Sequence, residues 1–134
     1  TLIISSLILS SLNNFFLSCL YVKRYNECSE TINTLQQLHA RNLGDEEMIF
    51  STYITAKLDL LINTGAYEEG MKFIESIKNK FEKLSPIVRP FTRVVILYYC
   101  FQIYFYAKNY KNALYWMNRL MRWMQPPGIL SGAY

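Results

Sequence analysis

Three short stretches decide the fold: Lys23-Arg24-Tyr25-Asn26-Glu27-Cys28, Gly65-Ala66-Tyr67-Glu68-Glu69-Gly70 and Lys108-Asn109-Tyr110-Lys111-Asn112-Ala113. Their tyrosines lie 42 and 43 residues apart, and a small residue (Cys28, Gly70 or Ala113) follows each by three. An apolar residue comes four positions later (Ile32, Ile74, Met117), and another three beyond that (Leu35, Ile77, Leu120). Steps of three and four keep side chains on one face of a helix. The tyrosine is suited to plugging a turn, and the small residue lets two helices cross closely. A helix pair recurring at a fixed period is the signature of an α-solenoid.

The pattern extends on both sides of each stretch. Between residues 67 and 84, Gly70, Ile74, Ile77, Phe81 and Leu84 form one apolar stripe, with Glu68, Lys72, Glu75, Lys78, Lys80 and Glu82 opposite. Residues 26–41 and 111–124 repeat it, the latter through Ala113, Met117, Leu120 and Met124. A more hydrophobic helix precedes each. The first runs from Leu2 to Val22. The second follows Asn42-Leu43-Gly44, which reads as a helix stop, and opens on Asp45, Glu46 and Glu47, carboxylates that suit the positive end of a helix dipole. The third begins at Ser85-Pro86 or at Pro90, since proline fits a first turn. Pro126-Pro127-Gly128 ends the last helix. Alternation of period two never persists, so the expectation is an all-α fold. It comprises six helices in three antiparallel hairpins (1–42, 43–84 and 85–124) with a tail at 125–134, forming one domain over 1–134.

Composition excludes several classes. The 134 residues are 51% hydrophobic and 18% charged, far from a disordered chain. Three cysteines, an odd number at wide spacing (Cys19, Cys28 and Cys100), rule out a disulfide framework, and a cytoplasmic setting is expected. They fall on apolar stripes, as small core residues do. The one histidine, His39, has no Cys, His or acidic residue at ligand spacing, so neither a metal site nor a cofactor is expected. No phosphate-loop, dinucleotide or nucleophile-elbow string occurs, and the acidic pairs sit at helix starts, where capping explains them. The expectation is a non-enzyme. Residues 1–22 carry no charge, yet Ser6, Ser10, Asn13, Asn14 and Ser18 gather on one side of a helical wheel, which argues for a packed amphipathic helix over a membrane span. The chain opens on Thr1 rather than methionine, from which a piece of a longer protein is expected.

The turn strings resemble those of the tetratricopeptide repeat family. Gly65-x-Tyr67-x-x-Gly70 looks like that family's turn and second-helix start, Tyr110-x-x-Ala113 fits it better, and Tyr25-x-x-Cys28 is a looser match. The resemblance spans residues 5–124. The spacing here exceeds the family period of 34, which implies longer helices. The resemblance implies a scaffold that binds a peptide or a partner protein, with the first helix of each pair lining a concave groove. Counted back from the aligned tyrosines, the groove positions include Ser10 and Asn13 in the first unit. They include Thr52, Thr55, Asp59 and Asn63 in the second, and Tyr98, Gln102, Phe105 and Tyr106 in the third. Gln102 is also the only non-aromatic polar residue between Val94 and Ala107.

Charge is uneven along the chain. Up to Glu82 there are seven Lys/Arg and ten Asp/Glu, a balance of −3; from Lys83 onward seven basic residues and no acidic one give +7. Basic residues beside aromatics (Arg89, Arg93, Lys108 and Lys111 near Tyr98, Tyr99, Phe101 and Tyr104) supply the alternative reading, a nucleic-acid-associated domain. Those aromatics cover every side of their helix, which favours core packing. The last helix carries an apolar arc wider than one core requires, with Leu114 and Met121 on one flank and Trp116 and Trp123 on the other. The tryptophan flank is expected to self-associate or to be covered by the tail.

Overall fold

The computed structural model describes residues 6–124, and these form six α-helices and no β-strand. The helices are α1 (Ser6–Tyr21), α2 (Tyr25–Gln36), α3 (Leu43–Asn63), α4 (Tyr67–Leu84), α5 (Pro90–Tyr106) and α6 (Tyr110–Met124), with a 3-10 turn at Ser85–Ile87. The tail at 125–134, including the Pro126-Pro127-Gly128 stop, and the first residues of the expected first helix lie outside the described residues.

The three diagnostic stretches fold into the same turn. Lys23, Gly65 and Lys108 each stand two residues before the aligned tyrosine, and each is left-handed, at φ 64°, 70° and 63°. The N–H of the next residue reaches back over the helix end: Arg24 to the Cys19 carbonyl (2.8 Å), Ala66 to that of Leu61 (2.9 Å) and Asn109 to that of Tyr104 (2.9 Å). The left-handed residues donate to the carbonyls of Leu20, Ile62 and Phe105. Together these bonds make a Schellman motif, which satisfies carbonyls a helix end would otherwise leave open. The small residues then start the next helix, with Cys28, Gly70 and Ala113 donating to the carbonyls of Arg24, Ala66 and Asn109.

The link between α2 and α3 differs from the expectation. Asn42 is not part of a stop. α2 ends at Gln36, and Asn42 is the N-cap of α3, its side chain accepting the Asp45 N–H at 2.9 Å. An extended backbone and a free side-chain oxygen make asparagine a starter here, so Leu43 and Gly44 belong to the first turn. Asp45 turns back to bind Arg41, through Nε at 2.8 Å and the backbone N–H at 3.0 Å. α5 starts at Pro90, which occupies its first turn.

Each helix packs on its successor, and in addition α1 packs on α3 and α3 on α5. Two cores result. Leu9, Phe16, Cys19, Cys28, Ile32, Leu35, Ala56 and Leu60 join α1, α2 and one side of α3. The other side of α3 (Phe50, Ile54, Leu58, Leu61) meets α4, α5 and α6 around Ile74, Phe81, Leu97, Cys100 and Trp116. α3 is thus the shared wall. The close crossing at Gly70 is with the next hairpin and not with its own partner helix: a Cβ on Gly70 of α4 would lie 2.9 Å from two carbons of Ile103 in α5. The small residue at this position therefore admits the following unit's first helix.

Arg93 braces the α4–α5 link. Its guanidinium is buried, donates to the Ser85 carbonyl and, at 3.0 Å, to that of Val88, and lies 3.8 Å from the centre of the Trp123 ring. Carbonyls at the end of a helical segment are the negative pole of its dipole, which suits a cation here. Burial lowers the Arg93 pKa.

Candidate functional site

Because α1, α3 and α5 pack side by side, their outer faces form a common groove of about 510 Å³. From α1 come Ser10 and Asn13; from α3, Glu47, Ser51, Thr52, Thr55 and Asp59; from α5 and the residue before it, Arg89, Thr92, Val95 and Tyr99. Leu9, Phe16, Met48, Ala56 and Phe91 supply apolar wall. Mixed apolar surface with a few convergent polar groups is the usual make-up of a binding cleft.

Helical spacing places the polar row. Ser51, Thr55 and Asp59 recur every four residues, and Thr52 lies beside them. The hydroxyls of Thr52 and Thr55 donate to α3's own carbonyls, of Met48 at 2.8 Å and of Ser51 at 2.9 Å. Their oxygens remain able to accept from a ligand. Ser51 is tied to the Glu47 carboxylate at 2.9 Å. Asp59 accepts from the Asn63 amide at 3.0 Å. Burial pushes the Asp59 carboxyl up, against the opposing hydrogen bonds of Tyr99 and Asn63. Burial and the neighbouring Asp59 also raise the Tyr99 hydroxyl. The α3 face of the groove is thus acidic, and among the described residues Arg89 at the α5 side is the one basic residue lining it.

Five of the expected groove residues come together here: Ser10, Asn13, Thr52, Thr55 and Asp59. Asn63 is exposed at the border and reaches the groove through Asp59. The third unit is placed differently. Tyr98 and Phe105 are exposed and belong to an aromatic row with Phe101, with ring centres 6.3 Å and 5.6 Å apart in succession. Tyr106 stacks on Tyr67 at 5.4 Å. Gln102 is half-buried one turn after Tyr99, beyond the groove lining. Counting from the turn mixes two stripes of α5, because 98 and 105 lie to one side of the run 92, 95, 99 and 102. Stepping by three and four from Gln102 towards the N-terminus of α5 would have found Tyr99, Val95 and Thr92. Glu47 and Arg89 carried no signal in the sequence beyond their charge.

The tryptophans also correct an expectation. Trp116 is 1% exposed and packed in the core, with Lys78 and Arg119 over its ring. Trp123 is half-exposed, but one face of its ring is occupied by Arg93. Only the Trp116 half of this flank faces inward; Trp123 keeps its other face open, and the expected cover by the tail lies outside the described residues. The open flank carries Leu114 and Met121. His39 is exposed, the three cysteines are free and buried, and no helix among the described residues is long and apolar enough to cross a membrane.

Comparison with protein-family models, curated proteins and solved structures gives no match.

Proposed function

We propose that this chain is a tetratricopeptide-like array of three hairpins that binds a segment of a partner protein in the α1–α3–α5 groove and catalyses no reaction. The observation carrying the reading is the groove itself, in which polar side chains from three successive first helices share one concavity. The repeated Schellman turns and the packing of α1 on α3 and of α3 on α5 support a solenoid. Glu47 and Asp59 on the groove wall favour a segment that carries a basic side chain, and the apolar wall residues favour an aliphatic or aromatic neighbour to it. Three reduced, buried cysteines are in keeping with a cytoplasmic protein.

Selection of peptides from a displayed random library on the wild-type chain tests this reading. Enriched peptides are expected to carry Lys or Arg and to lose binding to Thr55→Arg and to Asp59→Arg, both at half-exposed positions. Peptides that bind wild type and both variants equally, or no enrichment at all, would contradict it.

A further inference from the structure

The repeat makes α4 and α6 comparable position by position. Tyr67, Met71, Ile74, Lys78 and Phe81 of α4 correspond, 43 residues later, to Tyr110, Leu114, Met117, Met121 and Met124 of α6. In α4 this stripe is covered: Ile74 and Phe81 are fully buried, Met71 is packed against the core, and Tyr67 stacks on Tyr106 of α5. In α6 only Met117 of the stripe packs against the core, and the rest is open, with Tyr110 59%, Leu114 60%, Met121 46% and Met124 60% exposed. α5 shows the same change relative to α3. Leu58 is fully buried and Ile62 packs on the core, whereas their counterparts Phe101 and Phe105 are half-buried and 45% exposed. The last hairpin therefore presents the surface on which its predecessor seats another helix.

Charge says what kind of helix fits. On α4 the carboxylates beside the stripe bind the following hairpin: Glu75 accepts from the Tyr104 hydroxyl at 2.9 Å, and Glu82 pairs with Arg119 at 2.6 Å. At the positions matching those two carboxylates the chain carries the neutral Asn118 and Gln125. Lys111 stands where α4 has Glu68, Arg122 stands where it has Asn79, and there is no acidic residue anywhere from Lys83 onward. The α6 face is thus flanked by basic and neutral side chains, where α4 offers Glu75 and Glu82 to the next hairpin. Two copies meeting through this face would set Lys108, Lys111 and Arg122 of one chain against the same residues of the other, and like charges across an interface are costly.

We infer that the open face of α5 and α6 is a docking surface for an amphipathic helix of a partner, with apolar residues towards Leu114 and Met121 and carboxylates along its flanks. This rests on the hairpin repeat and is independent of the groove. Exposed apolar surface of this continuity marks a contact site on soluble chains, and an apolar helix face laid on a groove of this kind is a common recognition mode.

Two synthetic helical peptides of one apolar stripe, flanked by Glu in one and by Lys in the other, test it by fluorescence anisotropy. The Glu peptide is expected to bind at least about tenfold tighter than the Lys peptide, with affinity falling as salt rises. Leu114→Glu with Met121→Glu should abolish that binding, with helicity by circular dichroism unchanged because both positions are exposed. Thr55→Arg in the groove should leave it intact. Equal affinity for the two peptides, no binding of either, or loss through Thr55→Arg would overturn the inference. So would sedimentation showing a dimer that the Leu114/Met121 variant dissociates, since the occupant would then be a second copy.

Discussion

Lys23 and Lys108 hold a backbone conformation that glycine adopts freely and lysine does not, since Cβ crowds the following carbonyl at positive φ. Gly65 has the same role in the middle turn without that cost. Lys108→Gly and Lys23→Gly are therefore expected to stabilise the chain by about 0.5–1 kcal/mol each, the strain relief being reduced by the greater freedom of glycine when unfolded. Urea midpoints check this; a loss of stability in both would mean that the lysine side chains have a role the turn geometry does not reveal. Gly70 is the opposite case. A leucine there must displace Ile103, which is fully buried, so Gly70→Leu is expected to lower stability by about 1–3 kcal/mol, read as a fall in melting temperature. Two carboxylates respond to pH with opposite sign. Arg41 holds Asp45 below the usual carboxylate range, so the stability it adds is complete above the ordinary carboxylate pKa and is lost as pH falls through the depressed value. Burial raises Asp59, so ionising it disfavours the fold as pH rises through its ordinary pKa towards the raised one. Asp59→Asn is expected to be at least as stable as wild type at neutral pH, and Asp45→Asn less stable, a difference that shrinks on acidification in thermal melts.

At the scale of the helix, the amphipathic elements α2, α4 and α6 were legible because their apolar stripes repeat in threes and fours and their starts share a tyrosine and a small residue. α1, α3 and α5 were legible as helices but not as oriented ones. α5 is apolar nearly all round, so its sequence does not distinguish the side facing α3 from the side facing the groove, and the groove positions of the third unit were misplaced by that ambiguity. The two sides of α6 were indistinguishable for a related reason. Trp116 and Leu114 are both apolar, and only the positions of Arg93, Lys78 and α4 decide which is covered. Asn42 misled because asparagine is used at both ends of helices, and what sets its role is the backbone N–H of Asp45, whose carboxylate is bound by Arg41. Arg93 is the element-scale lock. Removing its guanidinium takes away the charged donor shared by the Ser85 and Val88 carbonyls, leaving Ser85 only the longer bond from the Val88 N–H, and a hydrogen bond from a charged group contributes about 1.5–3 kcal/mol. Arg93→Ala is expected to destabilise by at least that amount and to speed amide exchange in the first turn of α5; unchanged exchange there would remove the bracing role.

On the scale of the whole molecule, each first helix packs on the next, and the groove exists because three of them share a face. The acidic residues of that face come from α3, the middle helix, while the excess of basic residues lies in the third hairpin, so the two proposed surfaces differ in sign and call for different partners. If a basic side chain sits at Asp59, affinity must fall as pH drops through the raised Asp59 pKa, because the protonated carboxyl no longer offers a charge. The most direct measurement is the backbone amide shift map of the isotope-labelled chain titrated with a peptide selected on wild type. Shifts gathered on Ser10, Asn13, Thr52, Thr55, Asp59, Thr92 and Tyr99, with α2, α4 and the open flank of α6 unmoved, are the predicted result. Shifts gathered on α2 and α4 with the groove silent would contradict it.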